Sequence, residues 1–127
     1  MDYLLDTHTV IWHATGDKRL SVKATDVIES DYTLWVSYVS IWEMAIKVQR
    51  GRLELHAPLD VFIDDVVSKN EYNLLEIRTN HLYPIASLPY HHKDPFDRLI
   101  IAQGMMEQMT IITEDPAFQS YEVRTLW

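Results

Sequence analysis

The sequence predicts an α/β domain in which a central, mostly parallel sheet of four or five short strands carries helices on both faces. Short apolar runs typical of buried strands alternate along the chain with longer segments of helical periodicity. This alternation implies parallel pairing through right-handed crossovers. The length of 127 residues suits one domain, 1–127, and 47% hydrophobic residues with only 3 Gly and 5 Pro is a globular composition.

The first part of the chain is predicted to hold two strands and two helical segments. Residues 3–6 form an apolar run that ends in a carboxylate, and a helical segment follows over Thr7–His13. Residues 21–30 place apolar side chains at helical intervals, with Ser21 at the N-cap position. Thr33–Val36 is short, aromatic and β-branched, which predicts the second strand.

The clearest helix is predicted between Ser40 and Gly51. Apolar residues recur at i, i+3, i+4 and i+7, at Ile41, Met44, Ala45 and Val48. Gly51 then occupies the C′ position at which many helices end. We interpret Ser40 to Glu43 as a capping box, which would place Glu43 in the first turn.

The remaining residues are predicted to form two long helices, one short helical stretch and up to three strands. The predicted elements are a helix opened by Pro58, a strand at 73–77, a helical stretch at Thr79–Ala86, a loop at 87–93, a helix from Asp94-Pro95 to about Gln108, a strand at Met109–Thr113 and a possible strand at Tyr121–Thr125. We find no repeats or linkers, which agrees with one domain.

Composition excludes several kinds of chemistry. There is no cysteine, so any metal must be held by oxygen or imidazole ligands. No apolar run approaches the ~20 residues of a membrane span and no targeting segment is recognisable, so we expect a cytoplasmic protein without a membrane partner. The net charge of −8 is unusual for a nucleic-acid binder, although bound divalent ions offset clustered carboxylates and an acidic surface suits a basic protein partner.

Four acidic residues are predicted at one edge of the sheet. In open α/β sheets ligands bind beyond the carboxyl ends of the strands, where loops and helix N-termini converge. Asp6, Glu43, Asp97 and Asp115 each follow a strand or begin a helix at that edge. Mg²⁺ and Mn²⁺ prefer oxygen ligands, and clustered acids repel one another without a cation. We therefore predict a divalent-metal site.

Helix capping is the competing explanation for each of these acids. An acid at a helix start is more often a cap than a catalytic group, because it accepts hydrogen bonds from free backbone amides and suits the helix dipole. Asp94 is the most ambiguous: as the N-cap before Pro95 it is already explained, whereas Asp97, one turn later, can point toward the pocket. We assign Asp97 as a ligand and Asp94 as a cap or a supporting residue.

Four runs of the sequence resemble the successive motifs of PIN domains, in particular the VapC-like toxins. They are Leu4–His8, Ser40–Glu43, His92–Gln103 and Thr113–Asp115, and the third is the most specific. The resemblance covers nearly the whole chain. It implies a PIN-like three-layer sandwich, RNA cleavage that depends on Mg²⁺ or Mn²⁺, a homodimer, and neutralisation by a cognate antitoxin.

The same resemblance, matched residue by residue, implies which side chains form the site. The acidic site of the family falls on Asp6, Glu43, Asp97 and Asp115, with the Thr113 hydroxyl as a support. Divalent ions held there would lower the pKa of a bound water and align it for attack on a phosphodiester. An antitoxin would lie across apolar grooves between helices and reach into the acidic pocket with a basic side chain.

Basic and aromatic residues give weaker signals. Arg98, Lys47 and Arg50 are near the acids in sequence and could contact phosphates, but Lys47 also stands four residues after Glu43, the spacing of a helix ion pair. The six histidines show no zinc-ligand spacing, although His91 and His92 precede the Asp94 motif and could line the pocket mouth. Trp12, Trp35 and Trp42 are expected in the core or in dimer contacts rather than as stacking platforms for RNA bases.

Two rival functions remain open. An aspartate-based phosphatase or phosphotransfer domain also places an acid after its first strand, but His8 stands where a second aspartate would be expected. A non-catalytic acidic interaction module would use the acids as caps and its surface to bind a basic partner. Mn²⁺-dependent thermal stabilisation distinguishes a metal site from such a module.

Overall fold

Five parallel strands form the centre of the molecule in a computed structural model that describes residues 1–127. The sheet has the strand order β3-β2-β1-β4-β5, and every neighbouring pair is parallel. The strands are β1 (Asp2–Leu5), β2 (Thr33–Ser37), β3 (Asn73–Leu75), β4 (Thr110–Ile112) and β5 (Thr125–Leu126). The predicted α/β class with a parallel sheet is confirmed.

Six α-helices and two short 3₁₀ helices connect the strands. They are α1 (Thr7–Thr15), α2 (Val22–Ile28), α3 (Tyr38–Gln49), α4 (Leu59–Asn70), α5 (Thr79–Leu82) and α6 (Pro95–Glu107), with 3₁₀ helices at Tyr83–Ser87 and Pro116–Ser120. No helix combines the length and the apolar character that crossing a membrane requires.

The last strand differs from its prediction. The expected strand was Tyr121–Thr125, whereas β5 is Thr125–Leu126. The Val123 amide donates to the Tyr121 carbonyl at 2.8 Å, which keeps this segment in a turn. The chain first pairs with β4 where the Ile111 amide donates to the Arg124 carbonyl at 2.8 Å. The polypeptide therefore becomes extended only at its last few residues.

The start of α3 also differs from its prediction. The helix begins at Tyr38, and the Ser37 hydroxyl caps it by accepting from the Val39 amide at 3.0 Å. The capping box at Ser40 is therefore wrong, because β2 runs directly into the helix and Ser37 takes the cap. Glu43 consequently lies in the second turn, not the first. The predicted end is confirmed, with Gly51 in the left-handed region at φ 70°.

The two faces of the sheet support separate cores. Along β1, Tyr3 and Leu5 pack into one cluster with residues of α1 to α4, including Val10, Met44 and Phe62. Leu4 points to the opposite face, where it packs in a second cluster with residues of α6. Because both faces are covered, the strands are apolar on both sides, as expected for a parallel sheet.

The strand order places the chain's switch point between β1 and β4. The connections from β1 to β2 and from β2 to β3 move in one direction, and the next connection returns to the other side of β1. Ligands of open α/β sheets bind in the crevice beyond the carboxyl ends of the strands at such a point. Asp6 directly follows β1, and Thr113 directly follows β4. The fold thus brings both ends of the sequence to one crevice.

Candidate active site

An acidic cavity of about 250 Å³ opens at this switch point. Three of the four predicted acids lie on its wall, and the fourth, Glu43, does not. The complete lining is Asp6, His8, Trp12, Asp97, Glu114, Asp115 and Pro116. His8, Trp12 and Glu114 were not predicted as site residues; His8 and Glu114 lie two residues and one residue from a predicted acid, and Trp12 lies one turn after His8 on α1.

Asp6 is buried and held from three directions. It is the N-cap of α1, with Oδ1 accepting from the Thr9 amide and the Thr9 hydroxyl, both at 2.9 Å. Its Oδ2 accepts from the Thr113 hydroxyl at 2.5 Å. Burial raises the pKa of Asp6, and the hydrogen bonds from Thr113 and Thr9 and the proximity of His8 offset part of this effect. Helix capping therefore occupies Oδ1 of Asp6, while Oδ2 faces Thr113 at the end of β4.

Asp115 shows the same division between its two oxygens. Its Oδ1 accepts from the Ala117 amide at 2.9 Å and caps the 3₁₀ helix Pro116–Ser120. Its Oδ2 is free of that cap and accepts from His92 Nε2 at 2.7 Å. The Thr113 hydroxyl accepts from the Asp115 amide at 3.1 Å while it donates to Asp6, so Thr113 links the two acids across the crevice.

Asp94 and Asp97 have different roles: Asp94 caps a helix, and Asp97 faces the cavity. Asp94 Oδ1 accepts from the amides of Phe96 and Asp97 at 2.8 and 3.3 Å, which makes Asp94 the N-cap of α6. The Asp97 side chain makes no such contact and points into the acidic cavity. Burial, followed by the charges of Asp94, Glu43, Asp6 and Asp115, raises the pKa of Asp97 to about 8. Asp97 is therefore the acid most affected by the cluster.

Glu43 lies just outside the cavity wall. Its carboxylate is buried; Oε1 accepts from the Thr7 hydroxyl at 2.7 Å, and Oε2 forms an ion pair with Lys47 at 2.8 Å. The helix pair between Lys47 and Glu43 that the spacing suggested is thus present, but its carboxylate is buried rather than on the surface. Glu43 is close enough to Asp97 to raise its pKa. Its role as a ligand stays a prediction.

His92, which the sequence placed at the pocket mouth without a role, contacts two of the predicted acids. Its Nε2 lies 2.7 Å from Asp115 Oδ2 and 3.1 Å from Asp97 Oδ2. Its Nδ1 accepts from the Asp94 amide at 3.1 Å, so the ring proton is on Nε2 and points at the two carboxylates. The signals in the sequence were the position of His92 two residues before Asp94 and its place at the start of the run His92–Gln103, and neither predicted these contacts.

The Arg98 side chain is not available to contact phosphates, because backbone carbonyls already bind it. Its side chain is buried, and the guanidinium donates to the carbonyls of Leu88, Pro89 and His92 at 3.1, 2.9 and 3.3 Å. These bonds hold the loop that carries His92 against the start of α6. Arg98 thus positions the His92 segment, and the possibility of a phosphate contact is withdrawn.

The donor set fits a hard divalent cation. Four of the seven residues that line the cavity are acids, and carboxylate oxygens are the ligands that such cations prefer. Burial and the neighbouring acids raise the pKa of Asp97 to about 8, and a bound cation would oppose this effect. His92, Asp97 and Asp115 place ligand-type atoms within 4.8 Å of one another. Nδ1 of His92 is already an acceptor, so Nε2 is a donor to the acids and not a metal ligand in this position.

We expect the variant His92→Phe to show whether His92 acts as a hydrogen-bond donor to the acids or as a metal ligand. Phenylalanine keeps the packing against Phe118, whose ring centroid lies 5.8 Å from that of His92, but removes the donor to Asp97 and Asp115. The metal-free variant should lose ~1.5–3 kcal/mol of unfolding free energy, as expected for a hydrogen bond to a charged group. The rise in melting temperature on adding MnCl₂ should equal or exceed that of the wild type in differential scanning fluorimetry. Loss of that rise would show that His92 is itself a ligand.

Comparisons with known proteins agree with this architecture. A family model described as the PIN domain matches residues 3–123. The chain is 27% identical over 124 residues to ribonuclease VapC22 of Mycobacterium tuberculosis, which covers 93% of this chain and 90% of that protein. The structure is similar to that of VapBC2 from Rickettsia felis bound to a DNA fragment from their promoter, with a TM-score of 0.76, 14% identity, and 99% and 98% of the two chains covered. A toxin–antitoxin complex from Klebsiella pneumoniae has a TM-score of 0.67, 16% identity and coverage of 98% and 96%. The predicted three-layer fold is confirmed.

Proposed function

The chain belongs to the PIN-domain family, and from this premise we propose that it is a metal-dependent endoribonuclease, the toxin of a toxin–antitoxin pair. One observation carries the proposal: the Asp97 carboxyl is partly buried and lies among four other acids at the switch point of the sheet, where their negative charges repel. Such repulsion costs stability and serves no structural purpose, whereas a bound cation would relieve it. The relative VapC22, which is a ribonuclease, supports the substrate class.

We propose that Asp6, Glu43, Asp97 and Asp115 hold Mg²⁺ or Mn²⁺. When bound, such a cation supplies a water molecule of lowered pKa and offsets the charge on the reacting phosphate. The four acids are the source of negative charge that selects a divalent cation. Asp6 and Asp115 each cap a helix with one oxygen and keep the second within the crevice, so helix capping holds these ligands rigidly.

Two neighbouring side chains are proposed to orient the acids. Thr113 donates to Asp6 and accepts from the Asp115 amide, which fixes the separation of these two carboxylates. His92 Nε2–H occupies the space between Asp97 and Asp115 before a cation binds. Because the Asp94 amide holds the other ring nitrogen, His92 can retain one carboxylate as a hydrogen-bond partner while the other turns to a cation.

The proposed partners follow from the family and from charge. The Klebsiella pneumoniae neighbour is a toxin–antitoxin complex, and we propose that this chain likewise binds a cognate antitoxin and forms a homodimer. The net charge of −8 suits an antitoxin segment that carries basic side chains toward the acidic cavity. Because the proposed substrate is RNA, we expect the protein to act in the cytoplasm.

Cleavage of labelled RNA by the purified chain tests the function. We expect cleavage with MgCl₂ or MnCl₂, none with EDTA, and a loss of ~1000-fold in Asp6→Asn, which removes the charge but keeps the helix cap. Asp64→Asn is the matched control, because Asp64 is an exposed acid of α4 that does not line the acidic cavity. Cleavage by Asp6→Asn at the wild-type rate, or in EDTA, would refute the mechanism. Absence of both cleavage and Mn²⁺ stabilisation would favour the interaction module.

A further inference from the structure

A second cavity, of about 210 Å³, adjoins the acidic cavity, and we call it the basic cavity. The two cavities share His8 and Trp12 as a common wall. The charged side chains of the basic cavity are different, because Arg19, Lys47 and Arg52 line it against a single carboxylate, Asp17. Three of the 11 lysines and arginines of a chain with net charge −8 therefore meet beside the acids.

The common wall is one face of α1. His8, Ile11, Trp12 and Thr15 are spaced i, i+3, i+4 and i+7 and all line the basic cavity. Seven residues of α-helix extend ~10 Å, so the wall leads from the acidic cavity along the basic one. A nucleic-acid strand carries a charge every ~3.4 Å of helical rise, so phosphates next to one held at the acids fall within this length.

The wall is aromatic as well as adjacent to cations. The rings of His8 and Trp12 are stacked, with centroids 5.5 Å apart and an interplanar angle of 26°. The Arg19 guanidinium carbon lies 4.7 Å from the Trp12 ring centroid, which keeps that cation over the wall. Trp12 is buried, as the sequence predicted for it, so the exposed His8 ring and the Arg19 guanidinium that cover it are the groups of this wall that a sugar–phosphate backbone can reach.

The cations of the basic cavity retain donors for a ligand. Arg19 uses Nε and Nη2 for Asp17, at 3.1 and 2.8 Å, which leaves its third nitrogen free. Lys47 gives one of its three protons to Glu43. Arg52 is exposed, and its guanidinium forms no ion pair or side-chain hydrogen bond. Arg52 is therefore the cation most available to an anion.

We propose that the basic cavity binds a phosphate of the RNA backbone adjacent to the phosphate that reacts at the acids, with Arg52 and Arg19 as its main contacts. This inference rests on the proposed ribonuclease function. An RNA strand fits both cavities, because a cation held by the acids would offset the charge of one phosphate while the guanidinium groups would bind the next one directly. An acidic peptide would enter along the same wall against the repulsion of Asp6, Asp97 and Asp115, so RNA is favoured.

The test compares Arg52→Gln with Arg50→Gln on a short, labelled single-stranded RNA of randomised sequence. Arg50 is an exposed arginine two residues away that lines neither cavity, so it controls for net charge. For Arg52→Gln we expect KM to rise about fivefold, the size of one exposed ionic contact, with kcat within about twofold of the wild type. The slope of log(kcat/KM) against log[salt] should flatten by about 0.7, the value for one lost phosphate contact on a single strand.

Further measurements separate this inference from the function on which it rests. Arg19→Gln/Arg52→Gln should raise KM beyond the single variant, while the Mn²⁺-induced rise in melting temperature stays at the wild-type value because the acids are intact. If the wild type cleaves RNA but Arg52→Gln matches Arg50→Gln in KM and salt slope, the inference is overturned and the ribonuclease function stands. If Arg52→Gln instead weakens only inhibition by the antitoxin, the cavity binds protein and the inference is likewise overturned. If the wild type does not cleave RNA, both fail.

Discussion

Asp97→Asn is expected to reduce metal-dependent RNA cleavage by about 1000-fold or more. The Asp97 carboxyl lies in the acidic cavity, where burial and then the charges of four surrounding acids raise its pKa. A bound cation would restore its charge and use it as a ligand, whereas an amide is a much weaker ligand for a hard cation. Initial rates of RNA cleavage at saturating MgCl₂, compared at equal protein concentration, measure this loss.

Asp94→Asn is the matched control for this variant. Asp94 is the N-cap of α6, and asparagine caps a helix as well as aspartate does. The substitution removes one neighbouring charge without removing a proposed ligand, so we expect cleavage to fall by about tenfold at most. A loss in Asp94→Asn equal to that in Asp97→Asn would reverse the assignment of cap and ligand. Undiminished cleavage by Asp97→Asn would exclude Asp97 from the chemistry.

The convergence of the acids was largely predictable, because it depends on topology. In a parallel sheet the carboxyl ends of all strands lie at one edge, so an acid after β1 and an acid after β4 had to be near each other once the strands were recognised. The sequence pattern was sufficient to place Asp6, Asp97 and Asp115 at one crevice. It did not reveal that Asp6 and Asp115 cap helices and face the crevice at the same time, since that depends on which oxygen each donor reaches.

The orientation of His92 was not predictable, because contacts distant in the chain determine it. The buried Arg98 guanidinium holds the loop before α6 by donating to its carbonyl oxygens. The Tyr121 hydroxyl accepts from the His92 amide at 2.8 Å. Neither contact leaves a local pattern in the sequence. The start of α3 was mispredicted for a different reason: Ser37 and Ser40 are both competent caps, and only the end of β2 decides between them. Because Ser37 is the cap, Glu43 lies in the second turn of α3 and not in the first turn as predicted.

The stability of the metal-free protein is expected to fall as the pH rises from about 4 to about 8. The pKa of Asp97 is about 8 in the folded protein against 3.8 for an ordinary aspartate, so between these values the unfolded chain has lost a proton that the folded protein keeps. The contribution of this protonated group to stability is complete below the unfolded pKa and is lost as the pH approaches the folded one. Burial raises the pKa of Asp6 as well, which acts in the same direction. One such group contributes at most ~1.4 kcal/mol per pH unit.

Urea unfolding across this pH range, with and without MnCl₂, provides the measurement. Other groups titrate in the same window, so the quantity to compare is the difference between wild type and Asp97→Asn, in which the wild type should lose stability more steeply. Near pH 8, Mn²⁺ at about 100 times its dissociation constant should restore ~2.7 kcal/mol to the wild type, and much less to Asp97→Asn. Near pH 5 the gain should shrink for both, because protonated carboxyls do not bind the cation. Parallel pH curves for the two proteins would mean that the charge of Asp97 is already balanced without metal, and the physical reason for placing a cation in this cavity would be lost.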